Sequence, residues 1–276
     1  MEQDFDVRFK KCLIEMMAWL HEFCVKNNIR YFALGGTMLG AARHHGFIPW
    51  DDDIDIGIPR SDYERLALLL ENTSGRYRLE TPNSSNDDFL YTYSKLYDTN
   101  TTLIENSKVP VRRGVFIDIF PLDGIGNTLQ ESQDNYKIVD RKRMLLVSRV
   151  TAIRKGRSFA KNLAVIAAQI IPSFILNNKK IQREINSLCK KYDYDECVYG
   201  GNLLGHWRYK EVMPSKIMGN PTLYKFENIE IFGAEHYDDY LTKLYGNWKQ
   251  LPPVEQRVTI HDFECDLDKS YLENRG

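Results

Sequence analysis

The chain has 276 residues, 43% hydrophobic and 27% charged, which is typical of a folded globular protein and not of a disordered one. Its formal net charge of -1 provides no global positive field, so we expect no nucleic-acid partner. The five cysteines include no C-x-x-C pair, and the first eleven residues lack the apolar segment of a secretory signal. These features favour a cytoplasmic, reducing compartment over a disulfide framework or a zinc site.

The first hundred and twenty residues alternate between helical and strand patterns. Apolar residues recur every three or four positions over residues 5–26, which predicts an amphipathic helix. The strand IRYFALGG runs into a glycine pair, and TMLGAARHHG follows as a short helix with Thr37 as its N-cap and Gly46 as its stop. The strand DIDIGI and the helix RSDYERLALLLEN come next. Further strand candidates are YRLETP, YTYSKLYD, TTLIE and GVFIDIFPLDG.

The rest of the chain is predicted to be helical at first and then to contain loops, strands and a further helix. Residues 128 to 194 show a helical pattern, FENIEIFG is the clearest later strand, and AEHYDDYLTKLYG is a helix that ends at Gly246. We therefore predict an α+β protein with a mixed sheet flanked by helices. We predict three parts: a core at 1–125, a helical insertion at 126–200 and a C-terminal part at 201–276 that packs back on the core. These parts form either separate units or one domain.

An unusual cluster of acids lies in GFIPWDDDIDIGIPR, residues 46–60. In a strand, Ile54 and Ile56 face the core while Asp53 and Asp55 share the opposite face. Two carboxylates on one face repel each other, so a cation is expected there. A solvated loop is the simpler alternative. An EF-hand is excluded, because that loop requires glycine at its sixth position, where Ile56 stands.

The pattern around these acids indicates a magnesium or manganese site that handles phosphates. Gly35 and Gly36 allow the backbone to approach a phosphate, and the N-terminus of the following helix favours an anion. Hard divalent cations bind carboxylates together with substrate phosphate oxygens. Asp118, in an apolar strand, is the expected third acid because a buried carboxylate needs a partner. Asp123, later in that segment, is predicted to be a turn residue.

Several segments of the chain resemble one known family. GGTMLGAARHHGFIPWDDDIDIGI is similar to the signature of the LicD family, within the nucleotidyltransferase fold superfamily. SKLYDTNTTLIE, FIDIFPLD and YLTKLYGNWKQLPP resemble later blocks of that family. The resemblance implies a nucleotidyltransferase-like mixed sheet for the catalytic core.

The resemblance also implies an activity. It is the transfer of phosphocholine from CDP-choline to a sugar hydroxyl of a cell-wall or surface polysaccharide, such as teichoic acid, with release of CMP. Eukaryotic relatives transfer ribitol phosphate, so another CDP-linked group is an alternative. The acceptor would be a glycan, built in many systems on a lipid carrier at the cytoplasmic face of the membrane.

Residue roles follow from the matching motifs. Asp53 and Asp55 would be ligands of Mg²⁺ or Mn²⁺, and Asp118 would be the third acid and a candidate general base. The resemblance assigns the other positions as follows: the turn that meets the nucleotide diphosphate is Gly35, Gly36 and Thr37, the phosphate partners are Arg43 and Lys95, and the alternative base is His261.

Two further expectations concern choline and the membrane. A quaternary ammonium favours aromatic faces, which makes Trp50, Trp207 and Trp248 candidates. Between Lys137 and Lys161, nine Lys and Arg residues accompany one acid, and the apolar run 159–176 follows. This run is shorter than the roughly 20 apolar residues of a membrane span, so we expect peripheral contact with the inner face of the cell membrane. The alternative is a buried core helix beside a solvated basic one.

Two other functions remain open at this stage. An ordinary nucleotidyltransferase would carry a similar motif but would attack the α-phosphorus and release pyrophosphate. A nucleotide-binding module without catalysis would tolerate the loss of an acid, whereas Asp53, Asp55 and Asp118 are all present.

Overall fold

The computed structural model describes residues 2–71, 74–105, 111–151, 158–172, 174–258 and 263–273. In chain order, the first half of the described chain contains α1 (Glu2–Lys26), β1 (Phe32–Ala33), α2 (Gly35–His44), β2 (Asp55–Pro59), α3 (Arg60–Leu70), β3 (Tyr77–Glu80), β4 (Ser94–Asp98), β5 (Thr102–Glu105), β6 (Val111–Arg113) and β7 (Phe116–Gly126). The second half contains α4 (Leu129–Val150), α5 (Phe159–Ile170), α6 (Asn178–Cys189), β8 (Tyr199–Gly201), β9 (Val212–Pro214), β10 (Thr222–Phe226), β11 (Ile229–Gly233), α7 (Tyr237–Tyr245) and β12 (Phe263–Asp266).

A mixed sheet forms the centre of the protein. Its main strand order is β1-β2-β7-β4-β3, and β8 and β9 extend it beside the second half of β7. Strands β2 and β7 are parallel, whereas the other neighbours in this sheet are antiparallel. A smaller sheet has the order β12-β5-β6, and β10 and β11 form a hairpin. The predicted α+β class, with a mixed sheet and flanking helices, is confirmed.

The first helix supplies one side of the hydrophobic core. Leu13, Met16, Met17 and Leu20 of α1 are buried at the spacing that the sequence predicts. This helix contacts β7 and β11, so residues from both ends of the chain share one core.

The helices α4, α5 and α6 pack together beside β7. Strand β7 continues through residue 125, because its second half pairs with β8 from Asp123 to Gly126. The proposed boundary at 125 therefore falls inside a strand. Among the described residues, no helix is both long and apolar enough to cross a bilayer.

Several local predictions were wrong. Helix α2 starts at Gly35, so Thr37 lies inside its first turn and is not its N-cap. The helix ends at His44 with His45 in the left-handed conformation, before Gly46. FENIEIFG is not one strand but spans a hairpin turn, where Glu227 has φ 55°. The sequence pattern also missed β6 and β12, which are short and have mixed polar character.

Asp123 is another correction, since it is a buried strand residue and not a turn residue. Its carboxylate is fully buried in β7 and accepts two hydrogen bonds of 2.7 Å from the Arg60 guanidinium. A forked guanidinium matches a carboxylate in this geometry. Asp123 therefore has a structural partner outside the candidate site.

Candidate active site

A row of charged residues crosses the central sheet. Asp55 on β2 lies opposite Asp118 on β7, and Asp118 lies opposite Lys95 on β4. Lys95 in turn lies opposite Glu80 on β3. Residues in register on neighbouring strands point to the same face of a sheet, so these four side chains share one face. The strand register therefore gathers residues that are up to 63 positions apart in the chain.

Lys95 is buried and directed at the acids. Its Nζ lies 2.8 Å from Asp118 Oδ1 and 3.7 Å from Glu105 Oε1, and the residue is 1% exposed. The ammonium also lies 4.5 Å from the ring centre of Tyr91 and 3.4 Å from that of Phe116. Aromatic faces attract a cation that has left water. The structure thus places Lys95 as the partner of Asp118, within the sheet.

Asp55 and Asp118 each have a raised pKa. Burial raises the pKa of Asp55 well above its usual range, and the neighbouring charges of Asp53, Asp118 and Asp51 raise it further. Burial also raises the pKa of Asp118 to about 6, although the Lys95 ammonium opposes this shift. Crowded carboxylates of this kind are stabilised by a cation or a proton.

The glycine pair forms the first turn of α2 directly beside the acids. Gly35 has φ 49°, a conformation that favours glycine, and its N–H donates to Tyr240 Oη at 2.9 Å. A Cβ on Gly36 would lie 2.5 Å from Asp51 Oδ2, so a side chain there would displace the Asp51 carboxylate. The N-terminus of α2 and the acids of the 51–55 segment therefore border the same space.

Thr37 connects α2 to β2 through a hydrogen bond. Its hydroxyl oxygen accepts a hydrogen bond of 2.9 Å from the backbone N–H of Asp55, and the residue is 2% exposed. Because Asp55 begins the strand, this bond fixes the position of its backbone relative to α2. The structure assigns Thr37 to positioning Asp55.

A divalent cation suits the donor set of this site. Asp53 is half-buried two residues before Asp55, and the two charges interact. Within the described ranges, no group of three or more His, Cys, Asp or Glu side chains forms a ready-made metal site. Magnesium usually binds one or two carboxylates together with substrate phosphates, so Asp55 and Asp118 fit such a cation once a diphosphate is present.

The remaining candidates from the sequence lie in different surroundings. The Arg43 guanidinium is half-buried and donates to the carbonyl oxygen of Trp248 at 2.7 Å. Burial lowers the pKa of Arg43. This contact ties the end of α2 to the segment after α7. His261 lies outside the described residues.

Three residues from the C-terminal part of the chain border the site and were not predicted from the sequence. Tyr240 and Tyr245 on α7 approach the glycine pair, and Tyr245 Oη would lie 3.7 Å from a Cβ on Gly35. Glu211 is 5% exposed, accepts the backbone N–H of Trp207 at 2.8 Å, and adds to the negative field at Asp55. Burial raises the pKa of Glu211 to about 7. No local pattern marks these residues, because they reach the site only through the tertiary fold.

The three candidate tryptophans differ in accessibility. Trp248 is 7% exposed and its indole N–H donates to Asp238, which is typical of a structural residue. The half-buried Trp50 ring lies 5.7 Å from the Arg257 guanidinium carbon. Trp207 is 37% exposed, and its ring centre is 5.1 Å from that of Tyr245. Trp207 therefore presents aromatic surface to solvent beside Tyr245, which approaches Gly35.

The sequence of this chain is similar to those of known proteins. Residues 28–146 match the family model for the nucleotidyltransferase domain of LicD, FKTN and FKRP. This range includes the glycine pair and the facing residues Asp55, Asp118 and Lys95.

Individual relatives extend the similarity over most of the chain. The lipopolysaccharide cholinephosphotransferase LicD of Haemophilus influenzae is 29% identical over 256 residues, which are 90% of this chain and 92% of that protein. An uncharacterized protein of Rickettsia typhi is 34% identical over 46% of this chain and 48% of its own length. The human ribitol 5-phosphate transferase FKRP is 56% identical over a short segment of 34 residues, 12% of this chain and 7% of FKRP.

Proposed function

Because this chain belongs to the LicD family, we propose that it is a phosphotransferase that moves phosphocholine from CDP-choline to a sugar hydroxyl of a cell-wall or surface polysaccharide, such as teichoic acid, with release of CMP. The observation that carries this proposal is the placement of Asp55 and Asp118 opposite each other, beside the glycine turn of α2. This arrangement suits a nucleoside diphosphate, whose charge needs both a cation and backbone donors.

A few residues would share the tasks of binding the metal, orienting the diphosphate and positioning the acids. Asp53, Asp55 and Asp118 would hold Mg²⁺ or Mn²⁺, which when bound supplies positive charge to the diphosphate. The N-terminal turn of α2 orients the diphosphate through backbone N–H groups, and Thr37 keeps Asp55 in position. Positioning and electrostatics supply most of the catalysis in phosphoryl transfer.

The bond changes are those of a substitution at phosphorus. The acceptor hydroxyl oxygen forms a bond to the phosphorus that carries choline, and the bond between that phosphorus and the CMP oxygen breaks. The hydroxyl proton goes to a carboxylate of the site, and Asp118, which lies opposite Asp55, is our candidate for this base. Lys95, 2.8 Å away, holds this carboxylate in place.

The aromatic pair Trp207 and Tyr245 favours choline as the transferred group. Tyr245 interacts with the charges of Asp51 and Asp55, and Lys210 Nζ already lies 5.3 Å from the Trp207 ring centre, so the Trp207 ring attracts cations. A quaternary ammonium gains from such a face, whereas uncharged ribitol does not. Trp207→Leu should raise the KM for CDP-choline by about 3- to 30-fold and leave that for CDP-ribitol unchanged. Equal effects on both donors would contradict this assignment.

The reaction itself is tested by the products. The protein is incubated with a glycan acceptor and either CDP-choline or CDP-ribitol, and CMP release is measured in the presence of Mg²⁺ or Mn²⁺. A parallel reaction contains CTP and phosphocholine and is assayed for pyrophosphate. CMP release from CDP-choline, absent in Asp55→Asn, supports the proposal. Pyrophosphate release without CMP formation would identify an ordinary nucleotidyltransferase instead.

A further inference from the structure

Helix α5 and the turn after it expose an apolar face. Leu163, Ile166 and Ile170 are 53%, 39% and 73% exposed, and Phe174 and Ile175 are 88% and 66% exposed. Leu163, Ile166 and Ile170 follow helical spacing and form one stripe on α5, and Phe174 and Ile175 lie in the turn after it. We call these five residues the α5 face. Soluble helices normally carry polar or charged residues on such a surface.

The opposite side of α5 is packed against α4. Val165 and Ala168 are buried, and the Arg149 guanidinium of α4 donates to the carbonyl oxygens of Ala168 at 2.6 Å and Ile171 at 3.0 Å. Gln169 donates back to the carbonyl oxygen of Thr151 at 2.8 Å. The helix is thus fixed with one apolar side inward and the α5 face outward. The alternative of a buried core helix does not hold for these residues.

The surrounding chain is strongly basic. Residues 141–183 contain eleven Lys and Arg and no Asp or Glu; the basic positions are 141, 142, 143, 149, 154, 155, 157, 161, 179, 180 and 183. Some of these charges have partners, such as Lys142 with Glu184. Others, including Arg141, Lys161 and Lys180, are exposed. In a protein of net charge -1, this segment is a local positive region beside an apolar surface.

From this combination we infer that the α5 face lies in the interfacial layer of an anionic lipid bilayer, with α5 parallel to the membrane plane. Apolar side chains of an interfacial helix enter the boundary between headgroups and acyl chains, and basic residues add attraction to anionic headgroups. A protein partner would account for the apolar surface but not for the absence of every acid from 43 successive residues. The inference concerns binding alone and stands apart from the transferase chemistry.

Vesicle sedimentation of the full chain tests this inference. We expect binding to vesicles of phosphatidylglycerol and phosphatidylcholine at low salt, weaker binding at high salt, and weaker binding to phosphatidylcholine alone. The double variant Ile170→Glu/Phe174→Glu should bind at least about tenfold more weakly, because two large apolar side chains leave the interface. The matched control is Leu68→Glu on α3, an apolar residue that is 71% exposed outside the α5 face.

Further measurements separate the outcomes. Phe174→Trp, a conservative change, should show a blue shift of its emission when anionic vesicles are added. CMP release with a water-soluble acceptor should be unaffected by Ile170→Glu/Phe174→Glu, so failure of the membrane inference and failure of the proposed chemistry remain distinguishable. Absence of vesicle binding by the unmodified protein would overturn the inference. So would an equal loss in Leu68→Glu, or a dimer that forms through the α5 face without lipid binding.

Discussion

Asp55 and Asp118 lie directly opposite each other on the parallel strands β2 and β7, and their side chains share one face of the sheet. Two buried carboxylates this close repel each other unless a cation binds between them or one of them keeps its proton. Lys95 compensates Asp118 from the other side, but Asp55 has acids as its neighbours. The fold therefore maintains a negative position that a divalent cation can neutralise while it also binds a phosphate.

The first prediction concerns Asp53 and Asp55, the two acids of the 51–55 segment that we propose as metal ligands. Asp55→Asn or Asp53→Asn should lower CMP release by at least about 100-fold, since changes to groups that only orient a metal ligand already cost about 10- to 100-fold. The fold should persist, because the substitution removes repulsion. Activity and thermal unfolding are measured side by side, with the exposed Asp134→Asn as control. Retention of most activity with Mg²⁺ and Mn²⁺ would remove these residues from the site.

The second prediction links stability to pH and cations. The pKa of Asp118 is about 6 in the folded protein and near 3.8 ordinarily, so the folded state binds its proton more tightly. The contribution of Asp118 to the free energy of unfolding is therefore fully present below about pH 4 and is lost as the pH rises through about 6. The loss is about 3 kcal/mol. The raised pKa of Asp55 acts in the same direction.

A divalent cation should reverse this loss because it favours the ionised acids. We expect Mg²⁺ or Mn²⁺ with CMP to raise the unfolding temperature more at pH 8 than at pH 5, and to do so less in Asp55→Asn. An equal effect at both pH values, or an equal effect with AMP in place of CMP, would contradict the assignment of this site to a cytidine nucleotide and a cation.

The third prediction concerns the buried pair of Lys95 and Asp118. Lys95→Met should destabilise the protein by about 3–5 kcal/mol, because removing one partner leaves the other charge buried alone. Combining it with Asp118→Asn should cost less than the sum of the single changes. Denaturant unfolding of the four proteins at pH 8 gives the coupling free energy. The exposed pair Lys137 and Asp134, also 2.8 Å apart, serves as control and should couple by about 0.3–0.5 kcal/mol.

The fourth prediction concerns the hydrogen bond that the Thr37 hydroxyl accepts from the Asp55 N–H. Thr37→Val should lower the free energy of unfolding by about 1–3 kcal/mol, since the N–H of Asp55 loses its acceptor. Activity should also fall, because Asp55 is no longer held against α2. Thr37→Ser keeps the hydroxyl and should retain most of both properties. If Thr37→Ser is as impaired as Thr37→Val, the methyl group and not the hydrogen bond is what matters.

Local patterns in the sequence predicted much of the fold. The apolar spacing of α1, the helix ending at Gly246 and most strands of the central sheet were predicted correctly, because each depends on residues close in the chain. The glycine pair and the acids that follow it are also local features that the sequence shows directly. The short and polar strands β6 and β12 could not be predicted, since they exist only by pairing with β5.

The sequence by itself determined which side chains were available for phosphate chemistry, because glycine pairs and acid-x-acid strands are local features. The tertiary structure alone decided that Asp118 faces Asp55, that Lys95 is buried against Asp118, and that Thr37 supports Asp55. It also brought Glu211, Trp207 and Tyr245 to the site and turned the apolar face of α5 outward. These relationships depend on strand register and on packing between distant segments, which no local spacing in the chain specifies.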